Sequence, residues 1–160
     1  MNTALPSRHG FLFLDFDGVC HPEGCLSARL FEKLPIIESF LREHPGIEVV
    51  ISSSWRSYRS LADMRKHFSP DIAGRVVGVT PQSPRNLTTG MSSAVPKIRE
   101  LECLQWLQAS KAPSSPWIAI DDQPGLFTTG CPNLVVTRPN KGFEREDLSR
   151  LSATWKAQIA

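Results

Sequence analysis

Three short apolar runs, each stopping at a polar or acidic residue, constrain the fold of this chain most. They are FLFLD at 11–15, IEVVIS at 47–52 and WIAID at 117–121. Continuous apolar runs of this length suit strands buried on both faces, as in a parallel sheet. RVVGVT at 75–80 and LVVT at 134–137 repeat the form more weakly.

Between the runs lie helical patterns. Pro35 suits a first helical turn, and Ile37, Phe40 and Leu41 then share a face before His44-Pro45-Gly46 ends the helix. A second helix is expected after Ser57, read as its N-cap, with Leu61, Met64 and Phe68 on one stripe. A third spans about 97–110 and buries Leu101, Leu104 and Leu107 or their neighbours; a last one carries Leu148, Leu151, Trp155 and Ile159. Alternating strands and helices predict an α/β three-layer sandwich around a central parallel sheet. The 160 residues are about one domain's worth, and a single domain over 1–160 is expected. Residues 18–34 and 81–96 read as long irregular connections, the first of them flap-like.

Composition narrows the class further. With 41% hydrophobic and 21% charged residues the chain is not a disordered one. No stretch approaches the roughly 20 apolar residues that a membrane span needs, and the first ten residues lack the apolar core of a signal peptide. The net charge of +2 argues neither for nor against nucleic acid. Cys20, Cys25, Cys103 and Cys131 form no Cys-x-x-Cys pair, so a zinc ribbon is not expected, and free thiols suit a reducing compartment. A soluble, cytoplasmic protein is the expectation.

Ligands of open parallel sheets bind beyond the carboxyl ends of the strands. Those ends read Asp15-Phe16-Asp17-Gly18-Val19, Ser52-Ser53-Ser54-Trp55-Arg56 and Asp121-Asp122. If the three strands are neighbours, four carboxylates and a hydroxyl cluster converge on one crevice. So many acids repel unless a cation neutralises them, and oxygen ligands favour a hard ion such as Mg²⁺.

The string Asp15-Phe16-Asp17-Gly18-Val19 resembles the first motif of the haloacid dehalogenase (HAD) superfamily, Asp-x-Asp-Gly-[Val/Thr]. Ser52 is similar to the second motif, and Asp121-Asp122 to the fourth. VVISSSWR, RVVGVTP and WIAIDD also resemble the small HAD domains related to those of multidomain RNA-repair proteins. The resemblance covers roughly residues 11–137 and implies a Mg²⁺-dependent phosphohydrolase acting on phosphomonoesters. It makes Asp15 the nucleophile and Asp17 the general acid and base, with Asp17 also lending its carbonyl to the metal. Ser52 would hold a phosphoryl oxygen, with backbone N–H groups near Ser53 helping. Asp122 would ligate the metal and Asp121 would act through water or behind the ligands. For the third-motif cation, Lys97 is the first choice and Arg99 the alternative, while Arg56 is a candidate for binding substrate phosphate.

Other features are read more plainly. His21 is taken as a loop histidine without a role, and Trp55 as a packing residue rather than a base-stacking one. Arg56, Arg59, Arg65, Lys66 and Arg75 form the best candidate basic face for nucleic acid. The interval 18–46 is too short for a full cap domain, and an open site suits a large phosphoester such as a nucleotide or a nucleic-acid end. Two rivals remain at this point: an inactive HAD-like binding module or partner subunit, and a phosphoacceptor signalling domain.

Overall fold

The computed structural model describes residues 8–83 and 97–160. Residues 84–96, most of the expected 81–96 connection, lie outside the described residues, as does the start of the N-terminal segment read for a signal peptide. Five strands form one sheet: β1 Gly10–Leu14, β2 Ile47–Ile51, β3 Val76–Val79, β4 Trp117–Asp121 and β5 Leu134–Val136. All pair in parallel, in the order β3-β2-β1-β4-β5. The α/β sandwich expected from the alternating runs is therefore the observed architecture. Strand order reverses between β1 and β4, and the crevice of such a sheet opens at that switch.

Period-two alternation splits the core between the two faces. Leu12 and Leu14 of β1, Ile47, Val49 and Ile51 of β2, and Ile118 and Ile120 of β4 pack on one face. Covering them are α1 Leu34–Glu43, α2 Leu61–Arg65, α3 Pro70–Ala73 and, from the end of the chain, α5 Asp147–Ile159. Phe13, Val50, Trp117 and Ala119 point the other way, against Cys103 and Leu107 of α4 Ile98–Ala109. Continuing that alternation, Asp15 and Asp121 emerge on the α4 side, and so does Ser52. The parity of the strands thus decides which helix can reach the acids.

Two helices depart from expectation. The helix placed after Ser57 is divided: Ser54–Ser57 is a 3-10 turn capped by Ser53, α2 begins only after Ser60, and Pro70 opens the separate α3. Ser60 Oγ accepts the Asp63 N–H at 3.1 Å, so Ser60 and not Ser57 supplies the N-cap. On α4, Leu104 faces outward and the buried residues are Arg99, Glu102, Cys103 and Leu107. A helix whose inner face borders a cluster of acids buries charge where a purely apolar pattern predicts leucine. Between β1 and α1 the helical structure is the three-residue turn Ser27–Arg29. No helix among the described residues is long and apolar enough to cross a membrane.

Candidate active site

Asp15 follows β1 directly, and Asp121 and Asp122 close β4, its neighbour. One oxygen from each of the three lies within 4.8 Å of the other two, and all three residues are buried. Burial raises the Asp15 carboxyl well above its ordinary range, and Asp121 raises it further against the pull of Arg99. Burial likewise raises Asp121 to about 6, opposed chiefly by Arg99. Asp122 is raised as well, mainly by desolvation. Close carboxylates in a low dielectric cannot all ionise without compensation.

The hydrogen bonds distinguish the acids. Asp15 Oδ1 accepts the Phe16 N–H at 2.8 Å. Asp121 is held at both oxygens, Oδ1 by the Gln123 N–H and Oδ2 by Arg99, each at 2.8 Å. Asp122 Oδ1 is buried with no hydrogen-bond partner among the described residues. An orphaned, buried carboxylate oxygen on a residue of this acid cluster is what a divalent cation would satisfy, and the all-oxygen donor set suits Mg²⁺. The residues present fit such an ion.

Gly18 explains the glycine of the first motif. Its φ is +75°, and a Cβ there would stand 2.3 Å from Asp122 Oδ2. Its carbonyl is fixed by the Thr137 hydroxyl at 2.7 Å. Gly18→Ala should cost about 1–2 kcal/mol from the left-handed backbone alone and should displace Asp122. The expected result is a lower melting temperature together with weaker Mg²⁺ binding by titration; an unshifted Mg²⁺ affinity would mean that Asp122 is not a ligand.

Of the two candidates for the third-motif cation, Arg99 stands at the acids. Its guanidinium is 2.8 Å from Asp121 and 3.7 Å from Asp15, with Glu102 at 3.8 Å on the other side. Burial opposes its charge, but Asp121, Asp15 and Glu102 together raise it above the usual arginine range. Lys97 precedes α4 and lines a separate hollow with Pro124, Phe127 and Thr128. No ion pair joins it to an acid among the described residues.

Beyond β2, Ser52 and Ser53 are buried, and Ser54 opens onto the cavity. Arg56 turns inward: one nitrogen donates to the Ser52 and Ser53 carbonyls at 2.8 Å, and another meets Glu102 at 2.8 Å. It shapes the serine turn from within, and burial lowers its guanidinium against the opposing pull of Glu102. Asp17, the more exposed acid, has its carboxylate between His21 and Trp55, at 2.8 and 3.0 Å.

Asp15, Asp17, Ser54, Arg56, Arg99, Glu102 and Asp122 line a cavity of about 730 Å³, together with Glu23, Ser57, Gln82 and Ser83. Glu102 and His21 carry sequence signals that were available: Glu102 lies one helical turn from Arg99, and His21 four residues from Asp17. Of the expected basic face, Arg59 and Lys66 are exposed, whereas Arg56 lines the cavity, Arg65 donates to the Val76 carbonyl, and Arg75 caps α1 through the Leu41 and His44 carbonyls.

The phosphoacceptor alternative predicts a strand order of 2-1-3-4-5, which the sheet does not have. No curated protein and no solved structure gives a significant match. A sequence profile for the HAD domain in Swiss Army Knife RNA repair proteins matches residues 11–148. With its acids at the β1/β4 switch and that match over most of its length, the chain belongs to this family of HAD domains.

Proposed function

We propose that the chain is a Mg²⁺-dependent phosphohydrolase that releases phosphate from phosphomonoesters through a covalent intermediate on Asp15. The observation that carries this reading is the meeting of Asp15, Asp121 and Asp122, one of whose oxygens is buried without a partner, with Arg99 beside the nucleophile. A carboxylate oxygen of Asp15 attacks phosphorus and the ester P–O bond breaks. Asp17 gives its proton to the departing oxygen, which leaves as an alcohol. Asp17, now a carboxylate, takes a proton from water as that water attacks phosphorus. The acyl-phosphate P–O bond breaks, phosphate departs, and Asp15 is restored.

Arg99 offsets charge on the nucleophile and on the phosphoryl group, the role for which Lys97 was the first choice. The turn after β2 would hold phosphoryl oxygens, by Ser52 at the position the superfamily pattern designates and by Ser54, which faces the cavity. When bound, Mg²⁺ would neutralise the acids and screen Asp15 from the incoming anion.

An open cavity rimmed by Ser54, Ser57, Gln82 and Ser83, with a minimal cap, favours a large phosphoester. The RNA-repair association of the family favours a nucleotide or nucleic-acid end. Free cysteines suit action in the cytoplasm. Phosphate release should be measured with and without Mg²⁺ on an aryl phosphate, nucleotides, and 5′- and 3′-phosphorylated oligonucleotides. Metal-dependent release, greatest on the oligonucleotides, is expected. Release from none of them would favour the binding-module reading.

The acid cluster also sets a pH dependence. The folded chain keeps protons that an unfolded aspartate gives up near 3.8, and Asp121 loses its own only near 6. In metal-free buffer this contribution to stability is therefore full below the lower value. It falls as pH rises through the upper one, by up to about 1.4 kcal/mol per pH unit for each proton held. Mg²⁺ competes with those protons. The rise in melting temperature on adding it should be clearly larger at about pH 7 than at about pH 5, and equal rises would exclude binding at these acids.

A further inference from the structure

Both oxygens of the Asp17 carboxylate are held by N–H groups from different parts of the chain. His21 Nε2 lies 2.8 Å from Oδ1, and the Trp55 indole N–H donates to Oδ2 at 3.0 Å. The tautomer of His21 follows from its other nitrogen. Nδ1 accepts the Phe31 N–H at 3.2 Å, so a neutral ring carries its proton on Nε2 and donates it to Asp17.

This arrangement is costly in a way that simple packing does not require. Phe31, a bulky residue, adopts a left-handed backbone with φ 61°, which places its N–H at His21. Strain of that kind persists only where the surroundings enforce it, and it gathers at functional sites. Here the Phe31 ring is locked by stacking on His67, with centroids 3.9 Å apart, and by edge contacts to Phe16 and Trp55. Phe16, between the two acids in sequence, also packs edge-on against Trp55 at 5.5 Å. His21 is 1% exposed, whereas the side chain of Asp17 is 46% exposed and lines the cavity. A buried histidine and a half-buried tryptophan thus hold an accessible acid.

We propose that His21 and Trp55 are positioning residues for proton transfer by Asp17, a reading that rests on the phosphohydrolase function above. When Asp17 hands its proton to the leaving oxygen, negative charge appears on a carboxylate already facing two donors. Those donors stabilise the charge as it forms and keep the carboxylate aimed at the water of the second half-reaction. The effect must scale with how much the leaving group needs a proton: an alkoxide needs one, whereas a dinitrophenolate leaves without it.

The test compares kcat/KM on an alkyl phosphate and on a dinitrophenyl phosphate, with Mg²⁺, for wild type, Trp55→Phe, His21→Leu and His21→Gln. Trp55→Phe keeps an aromatic ring and removes the N–H; His21→Gln retains an N–H donor for Asp17. Trp55→Phe and His21→Leu should each lower kcat/KM on the alkyl ester at least about tenfold, with the dinitrophenyl ester nearly unchanged. His21→Gln should recover most of the loss. Equal losses on both esters, or no loss on either, overturn the proposal, and Trp55→Phe decides alone if the His21 variants fail to fold. Wild type without turnover on either ester would instead overturn the phosphohydrolase reading and this inference with it.

Discussion

Asp15→Asn is expected to abolish turnover, with a loss of at least about 10⁴-fold, and to leave a folded protein that melts above wild type in metal-free buffer. The two effects share one origin. Asp15 is buried against Asp121 and Asp122, so its carboxyl is crowded before any substrate arrives. An amide has the same shape, can still accept the Phe16 N–H, and contributes no negative charge to the cluster. It cannot attack phosphorus. The combined readout separates loss of chemistry from loss of fold: steady-state phosphate release gives the first and thermal melts the second. An Asp15→Asn protein that turned over near the wild-type rate would remove the nucleophile from Asp15.

The second large effect concerns Arg99. Arg99→Met keeps much of the side-chain volume but leaves Asp121 without its cation, while Glu102 keeps Arg56. Breaking a buried ion pair from one side costs about 3–5 kcal/mol. Part of that loss should be recovered at low pH, where Asp121 takes up a proton. Turnover should fall about 10²- to 10³-fold, since charge on Asp15 and the phosphoryl group loses its nearest cation. Lys97→Ala, at the separate hollow beside Pro124 and Phe127, should stay close to wild type in both respects. The reverse pattern, a crippled Lys97→Ala and a mild Arg99→Met, would return the third-motif role to Lys97.

The contrast between these two cations shows where sequence reading reaches its limit. The strands carrying the acids were legible because a run such as FLFLD states its burial and its end locally. Their parity then follows from a period of two. Which basic side chain meets those acids depends on how α4 is rotated against the sheet. Its apolar pattern misreports that rotation because Arg99 and Glu102 occupy the inner face.

His21 is a parallel case. A histidine after a glycine turn looks like any loop residue until Phe31, ten positions on, is seen to donate to its ring. The basic residues between 56 and 75 read as one surface because a charge pattern does not show which guanidinium groups turn to backbone carbonyls. Arg75, for example, reaches Leu41, His44 and Ile47.

The covalent step is tested most directly by acid-quenching the wild-type protein during turnover of a terminally ³²P-labelled oligonucleotide with Mg²⁺, then mapping the label. A phosphoryl group is expected on the peptide containing Asp15, with none when Mg²⁺ is omitted and none in Asp15→Asn. Label on a different residue, or continued phosphate release by Asp15→Asn, would contradict it.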